Sequence, residues 1–167
     1  MTDDGASSTA GQRDPAFAVI AATFNEMIVR PLVDGATASF EAAGVAPDRV
    51  EVTWVPGAFE LPLAARTAAA SGRYAAVVCL GAVVRGETAH FDYVAGEAAR
   101  GIMDAGLQTG VPILFGVLTT DTIDQAMDRA GGAHGNKGWD AARAALEMVR
   151  MLDDLGTGAD VRRGAAR

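Results

Sequence analysis

The chain has 167 residues, the length of one compact domain, so we expect a single hydrophobic core. Its formal net charge of −7 argues against nucleic acid as a partner, because proteins bind nucleic acid mainly through clustered lysine and arginine side chains. No apolar run approaches the roughly 20 residues that cross a bilayer, and no basic segment precedes a hydrophobic stretch at the N-terminus. These features predict a cytoplasmic protein that binds neither nucleic acid nor membranes.

The two ends of the chain differ in composition from the rest. Residues 1–14 are rich in serine, threonine, glycine, alanine and aspartate and have no apolar periodicity, which is typical of a flexible arm. Residues 156–167 have the same character and predict a flexible tail. A single folded domain is therefore expected over residues 15–155.

Four short apolar runs predict strands, at residues 17–22, 50–55, 75–80 and 112–118. Each run is nearly continuous in its apolar character, as in strands that are buried on both faces of a parallel sheet. The third run contains Cys79, the only cysteine, which we interpret as a small buried hydrophobe rather than a nucleophile or metal ligand. A single cysteine leaves no disulfide or zinc framework.

The segments between these runs have the spacing of amphipathic helices. In the first, apolar residues recur at every fourth position from Ile28 to Phe40, and Pro31 would lie in the first turn, where proline is tolerated. Further helices are predicted over residues 60–71, 91–105, 121–130 and 139–155. Thr122 and Gln125 have the spacing of a capping box.

The alternation of strands and helices predicts a four-stranded, doubly wound α/β sandwich. Parallel crossovers are right-handed, and helices must cover both faces of such a sheet. Ligands in these folds bind beyond the carboxyl ends of the strands. Unusual residues do follow the apolar runs, at 23–25, 56–60 and 81–92, and the fourth run contains the segment 115–118.

The loop at residues 81–92 contains two candidate functional groups. The backbone N–H groups of Gly86, Glu87 and Thr88 can turn toward an anion at the start of the next helix, where phosphate binds favourably. The alternative is an ordinary loop with a threonine N-cap. Histidine titrates near neutral pH, so His90 is either a proton-transfer residue or a structural or solvated histidine. We interpret the other histidine, His134, as solvated.

Four further residues each admit two interpretations. Phe24 and Phe59 are either aromatic faces for a flat heterocycle or core residues, and from the residues alone core packing is favoured. Glu60 opens a helix, where a carboxylate is favourable through the helix dipole alone. Arg129 can likewise offset the dipole at the end of its helix without binding a ligand.

Together, the order and spacing of these motifs resemble the lumazine synthases, which make 6,7-dimethyl-8-ribityllumazine. The resemblance covers residues 17–152. It is carried by P-G-A-F-E at 56–60, G-A-V-V-R-G-E-T-x-H-F-D at 81–92, F-G-V-L-T-T at 115–120, D-R-A-G at 128–131 and G-N-K-G at 135–138. It implies a flavodoxin-like three-layer α/β/α sandwich with a four-stranded parallel sheet.

The resemblance also implies an activity. The family condenses 5-amino-6-(D-ribitylamino)uracil with 3,4-dihydroxy-2-butanone 4-phosphate and releases phosphate and water, with no cofactor and no metal. In the family's mechanism the amine attacks the ketone to form an imine, phosphate is eliminated, and the ribitylamino nitrogen closes the ring. Proton transfer and stabilisation of anions are left to the protein.

The matching positions in this chain acquire roles from the resemblance. Those for the aminouracil and its ribityl chain would be Phe24, Ala58, Phe59, Glu60, Ala82, Val83, Val84 and Phe115. Those for the phosphate would be Gly86, Glu87, Thr88 and Arg129. His90 would transfer protons, and Lys137, the only lysine, would add positive charge at the same border.

Charge enters these expectations in two ways. Glu87 stands where many relatives have a small residue, so its contact with phosphate is expected to be made by its backbone N–H. The overall acidity of the chain does not contradict an anionic substrate, because Arg85, Arg129, Lys137 and the helix N-terminus are expected to concentrate positive potential at the site.

The resemblance further implies an oligomer. The family builds homopentamers, often twelve of them in a 60-subunit icosahedral shell, and each active site is shared because Phe115 and Arg129 come from the adjacent subunit. Relatives that stop at the pentamer tend to carry an insertion where residues 131–138 form a short connection, so a shell is expected here. Riboflavin synthase is a candidate partner.

Three other functions compete with this one. A flavodoxin-like module could bind flavin or lumazine in the same aromatic slot without turnover, and a shell protein could have the cage as its function. A lyase that uses Lys137 as a Schiff-base nucleophile is disfavoured, because a glycine-rich loop offers no apolar pocket to lower a lysine pKa.

Overall fold

The computed structural model describes residues 15–164, with side chains to residue 156. Four parallel strands form one sheet in the order β2-β1-β3-β4. The strands are β1 Phe17–Ala22, β2 Val50–Val55, β3 Ala76–Val84 and β4 Ile113–Thr120. The helices are α1 Glu26–Ala42, α2 Leu61–Ala70, α3 His90–Thr109, α4 Ile123–Arg129 and α5 Lys137–Gly164. The predicted three-layer α/β/α sandwich is confirmed.

The central strand β1 shows how the sequence produces the layers. All six of its residues are buried, and successive side chains point to opposite faces of the sheet. Phe17 and Val19 join the core beneath α1 and α5, whereas Ala18 and Ile20 join the core beneath α2 and α3. The rings of Phe17 and Phe40 of α1 lie 4.7 Å apart, and burial of each such side chain contributes roughly 1.5–3 kcal/mol.

The strands β3 and β4 extend further than the sequence predicts. Residues 81–84 were expected to form a loop, but they continue β3, and β4 continues to Thr120 instead of ending at residue 118. The two extensions pair with each other, from Ala82 opposite Leu118 to Val84 opposite Thr120. Each extension therefore supplies the ladder hydrogen bonds that the other needs.

Several helix boundaries also differ from the prediction, among them the end of α3, which lies at Thr109 instead of residue 105. Helix α1 begins at Glu26, directly after Asn25, whose left-handed backbone (φ 60°) turns the chain from the loop into the helix. Because the helix starts this early, Pro31 lies inside it instead of in its first turn. Helix α5 was predicted to end at residue 155 but continues to Gly164. Extension of an existing helix needs no new nucleus, so glycines in this segment do not stop it. The predicted arm at residues 1–14 lies outside the described residues.

A small hairpin before α5 has no counterpart in the sequence prediction. Strands β5 (Ala130–Gly132) and β6 (Gly135–Asn136) pair in antiparallel fashion. The Oδ1 atom of Asn136 then accepts hydrogen bonds from the amides of Gly138 and Trp139, 2.9 and 3.1 Å away, and so caps α5. The Nδ2 atom of Asn136 donates to the carbonyl of Pro31 at 2.8 Å, which ties this cap to α1.

The interpretation of Cys79 is confirmed, because its side chain is fully buried in β3 and burial raises the pKa of the thiol to about 12. Among residues 15–164, no helix has the length and apolar character needed to cross a membrane. The same residues contain no group of three or more histidine, cysteine, aspartate or glutamate side chains arranged to hold a metal ion.

Candidate active site

A cleft of about 780 Å³ opens at the carboxyl ends of the strands, where the fold predicts a ligand site. The segments after β1, β2 and β3 form its walls, and the first turns of α3 complete it. Its lining residues are Phe24, Asn25, Pro56, Gly57, Ala58, Phe59, Glu60, Ala82, Val83, Val84, Gly86, Thr88, His90, Phe91, Tyr93 and Val94.

Hydrogen bonds between neighbouring loops hold the cleft in shape. The amide of Thr23 donates to the carbonyl of Val55 at 2.8 Å, and the amide of Phe24 donates to the carbonyl of Pro56 at 3.0 Å. These bonds continue the pairing of β1 with β2 past the ends of both strands. The backbone that carries the Phe24 ring is therefore held by hydrogen bonds to the segment after β2 and is not a free loop.

Two aromatic residues at the rim of the cleft are exposed within the chain. Phe24 is 72% exposed and Phe59 is 57% exposed, and both line the cleft. The interpretation that these two rings pack in the core, which the residues alone favoured, is therefore wrong. Their apolar faces are available to a flat heterocycle, which gains by stacking on an aromatic ring.

Ten of the residues that the sequence singled out lie together in this cleft. They are Phe24, Ala58, Phe59, Glu60, Ala82, Val83, Val84, Gly86, Thr88 and His90. Glu87 is exposed and is not among the lining residues, so its carboxylate does not form part of the wall. Glu60 is the N-cap residue of α2 but makes no capping hydrogen bond through its side chain, so the carboxylate is not occupied as a cap.

The start of α3 combines a helix N-terminus with a histidine. His90 is the first residue of this 20-residue helix, and the N-cap is Ala89, so the threonine N-cap considered as an alternative is not formed. The Thr88 hydroxyl instead lies 3.4 Å from the His90 amide, a long contact that leaves it accessible. The N-terminus of a long helix favours an anion, and an exposed imidazole there can exchange protons with it.

Three of the predicted residues lie elsewhere. Phe115, Arg129 and Lys137 line a second cavity of about 460 Å³, formed by the edge strand β4 with residues of α4 and α5. Phe115 is 45% exposed there. Within one copy of the chain, these side chains are not part of the cleft that contains His90.

The two cations of this second cavity have contacts of their own. Arg129 donates from Nη1 to the carbonyl of Gln125 at 2.9 Å, which is how an arginine offsets the C-terminal dipole of a helix. Lys137 lies 2.9 Å from the carboxylate of Asp140. Both side chains keep donors free for a second acceptor, because each has several N–H groups.

Arg85 does not add the free positive charge that the sequence predicted. Its guanidinium donates to Asp121 at 3.0 Å and to Asp92 at 3.2 Å, so two carboxylates compensate one cation. The hydrogen bond to Asp121 is the main cause that raises the pKa of Arg85. The positive potential expected at this loop must therefore come from the helix N-terminus, not from Arg85.

Six of the cleft residues were assigned no role from the sequence, namely Asn25, Pro56, Gly57, Phe91, Tyr93 and Val94. Asn25 has the only positive φ among the non-glycine residues from 15 to 164, and asparagine tolerates that conformation best. Its position directly after a strand was a usable signal. Tyr93 and Val94 lie three and four residues after His90 on α3, which is the spacing of side chains on one helix face, and Phe91 adjoins them.

The chain is similar to known proteins over most of its length. A family model described as 6,7-dimethyl-8-ribityllumazine synthase matches residues 14–153. A curated relative named 6,7-dimethyl-8-ribityllumazine synthase, from Gemmatimonas aurantiaca, is 56% identical over 135 residues, which are 81% of this chain and 82% of that protein. All residues of both cavities lie within the segment that the family model matches.

Proposed function

The chain belongs to the 6,7-dimethyl-8-ribityllumazine synthase family, and from this we propose how its two cavities carry out the family's reaction. It is a transferase of riboflavin biosynthesis that condenses 5-amino-6-(D-ribitylamino)uracil with 3,4-dihydroxy-2-butanone 4-phosphate to give 6,7-dimethyl-8-ribityllumazine, phosphate and water. One observation supports the assignment of its site above the others. An exposed aromatic ring, the end of a buried strand and a helix N-terminus with a histidine share one cleft.

The aminouracil half of the cleft lies between β1 and β3. The exposed face of Phe24 stacks on the pyrimidinedione, and backbone groups of Ala82, Val83 and Val84 contact its polar edge. Their plain side chains are buried or half-buried and face the cores, which leaves recognition to the main chain. Glu60 and the backbone at Ala58 and Phe59 accept hydrogen bonds from the ribityl hydroxyls.

The phosphate half of the cleft lies at the start of α3. Gly86 and Thr88 line it beside the N-terminus of α3, which favours negative charge. Glu87 contributes its backbone N–H, while its exposed carboxylate stays out of the wall. His90 lines the same cleft, and we assign it proton transfer at the carbon atoms that react.

The proposed steps follow from this placement. The 5-amino group of the uracil attacks the ketone, and loss of water gives an imine. Removal of a proton beside the imine lets the phosphate leave by elimination, and His90 carries that proton. Elimination leaves an enol, which takes up a proton at its terminal carbon and becomes a ketone. The ribitylamino nitrogen then adds to this new carbonyl, and loss of water closes the ring.

The second cavity completes the site from an adjacent subunit. Phe115 and Arg129 are accessible at the β4 side of the chain and are absent from the cleft of their own chain. An adjacent copy would add an aromatic face opposite Phe24 and a guanidinium whose fork fits phosphate oxygens. Lys137 lies at the same border and adds charge there.

We also propose the assembly that such sharing requires. Large apolar side chains are exposed on α2 and α3, namely Leu63, Tyr93, Met103 and Leu107, and their burial between copies would be favourable. A homopentamer brings each cleft against the second cavity of a neighbour. The turn between β5 and β6 is only two residues long, which favours a 60-subunit shell, with riboflavin synthase as a candidate partner. A cytoplasmic location fits phosphorylated substrates that do not cross membranes.

The experiment mixes purified protein with both substrates and follows lumazine fluorescence together with release of inorganic phosphate. We expect both signals to rise faster than in the spontaneous reaction and in equal molar amounts. No acceleration would leave the non-catalytic flavin-binding module or the shell protein as the function. Light scattering separates a pentamer from a 60-subunit shell by mass, and a mass of one chain would contradict the shared site.

A further inference from the structure

Arg85 closes the loop that carries Gly86, Thr88 and His90. It directly follows β3, and its backbone amide donates to the carbonyl of Thr120 at the end of β4, 2.8 Å away. Its Nη1 atom donates to Asp92, in the first turn of α3, at 3.2 Å. One guanidinium therefore joins the two ends of the loop.

The same guanidinium also anchors this loop to the neighbouring strand. Its Nε atom donates to Asp121, the residue after β4, at 3.0 Å. The end of β3, the first turn of α3 and the end of β4 thus meet at one side chain.

Arg85 supports the cleft from outside. Its guanidinium carbon lies 4.1 Å from the centroid of the Phe91 ring, and Phe91 lines the cleft whereas Arg85 does not. A planar guanidinium can stack on a ring and bridge two carboxylates at the same time, which the single ammonium of lysine cannot do. The contacts of Arg85 therefore depend on its shape as well as on its charge.

We propose that Arg85 is a positioning residue of the synthase site. It holds the Gly86 to His90 loop and the first turn of α3 in the arrangement that receives the phosphate, and it does not touch the substrate. This inference rests on the proposed function of that loop. Loss of Arg85 should weaken binding of the phosphate-bearing substrate more than binding of the aminouracil. The reason is that Arg85 holds the phosphate loop, whereas the aminouracil half is formed at the ends of β1, β2 and β3.

The first test compares Arg85→Ala with the matched control Arg73→Ala. Arg73 makes the same kinds of contact, 2.7 Å from Glu51 and 5.0 Å from the centre of the Tyr74 ring, but at the opposite end of the sheet. We expect Arg85→Ala to raise the KM for the butanone phosphate about tenfold or more, since small misplacements of a site have effects of this size. The KM for the aminouracil should change less than about threefold, and Arg73→Ala should change neither.

The second test separates position from charge. Asp121→Asn removes a negative charge near the phosphate loop but weakens the anchor of Arg85. If Arg85 acts by position, the KM for the butanone phosphate rises in Asp121→Asn and stays raised in Arg85→Lys. If Arg85 acts only as a compensating charge, that KM falls in Asp121→Asn and is restored in Arg85→Lys, which would overturn the proposal.

The outcomes distinguish this inference from the proposed function. A wild-type protein that forms no lumazine contradicts the proposed function itself. An active wild type, with an Arg85→Ala variant that behaves like Arg73→Ala, contradicts only the role of Arg85. Should Arg85→Ala fail to fold, the isosteric Asp121→Asn variant gives the same decision by the direction of its KM change.

Discussion

The side-chain amide of Asn25 donates a hydrogen bond to the carbonyl oxygen of Ala82, 2.8 Å away, and so joins the loop after β1 to the end of β3. These two residues are 57 positions apart in the chain. Asn25 follows the stacking candidate Phe24, and Ala82 belongs to the proposed edge for the uracil. One hydrogen bond therefore sets the spacing between the two parts of the aminouracil half.

Replacement of Asn25 should affect stability and aminouracil binding together. Asn25→Ala loses the hydrogen bond, worth about 1 kcal/mol, and puts alanine in a left-handed conformation that it tolerates less well than asparagine does, which costs up to about 1 kcal/mol more. Asn25→Gly loses only the bond, because glycine adopts φ 60° without strain. Urea unfolding should rank the wild type first, Asn25→Gly second and Asn25→Ala last. Both variants should raise the KM for the aminouracil. Equal stability of Asn25→Gly and Asn25→Ala would contradict the expected strain of alanine in the left-handed conformation.

Gly138 should not tolerate a side chain. A Cβ at this position would lie 1.9 Å from the carbonyl oxygen of Leu32, so α1 and α5 would have to separate. We expect Gly138→Ala to lose about 3 kcal/mol or more of unfolding free energy. Gly96→Ala on α3 is the matched control, because nothing lies within 4 Å of its Cβ position, and it should gain about 0.5–1 kcal/mol. Thermal unfolding of both variants measures the difference, and a Gly138→Ala variant as stable as wild type would refute it.

The shared site predicts complementation between inactive variants. His90→Ala should lower kcat, and Arg129→Ala should raise the KM for the butanone phosphate much more than His90→Ala does. When the two variants are co-expressed in one oligomer, about one site in four would combine an intact His90 with an intact Arg129 from the neighbour. Activity above that of either variant alone is the expected result. If the activity of the mixed oligomer is only the average of the two variants' activities, His90 and Arg129 act in a site formed by one chain.

Cys79 should be inert in the folded protein. Burial raises the pKa of its thiol to about 12, so the reactive thiolate is almost absent near neutral pH. A thiol reagent at pH 8 should label the native protein only at the rate of unfolding and label the protein in concentrated urea at once. Since the chain has a single cysteine, the signal needs no correction, and fast native labelling would show that β3 is accessible.

The same thiol predicts a pH dependence of stability. Below its ordinary pKa of 9.0 the folded and unfolded states both hold the proton. Between pH 9 and about 12 the unfolded state loses the proton while the folded state keeps it, so the thiol's contribution to stability falls as the pH rises. The free energy of unfolding, measured with urea from pH 8 to 10.5, should therefore fall more steeply for wild type than for Cys79→Ala. Parallel slopes would contradict a buried, protonated thiol.

Much of the fold could be predicted because it depends on local pattern. The bounds of β1 and β2 coincide with runs that were visible in the sequence. The expectation of burial on both faces holds for the inner strand β1, which is buried throughout, but is wrong for β2, an edge strand whose residues are exposed or half-buried. The cap at Thr122 was equally visible, and its hydroxyl does accept a hydrogen bond from Gln125. The loops of the cleft could be located because parallel strands place their carboxyl ends at one edge.

What the sequence did not determine depends on partners that are distant along the chain. The extension of β3 exists because β4 pairs with it, and the cap at Asn136 acts on α5 while it also bonds to Pro31, 105 positions away. Phe24 and Phe59 are of a residue type that is usually buried in a core, and only the packing of other side chains leaves them exposed. Arg85 looks like a free cation until Asp92 and Asp121 lie beside it. Burial, pairing and compensation of charge are properties of neighbours in space, so the tertiary structure alone decided them.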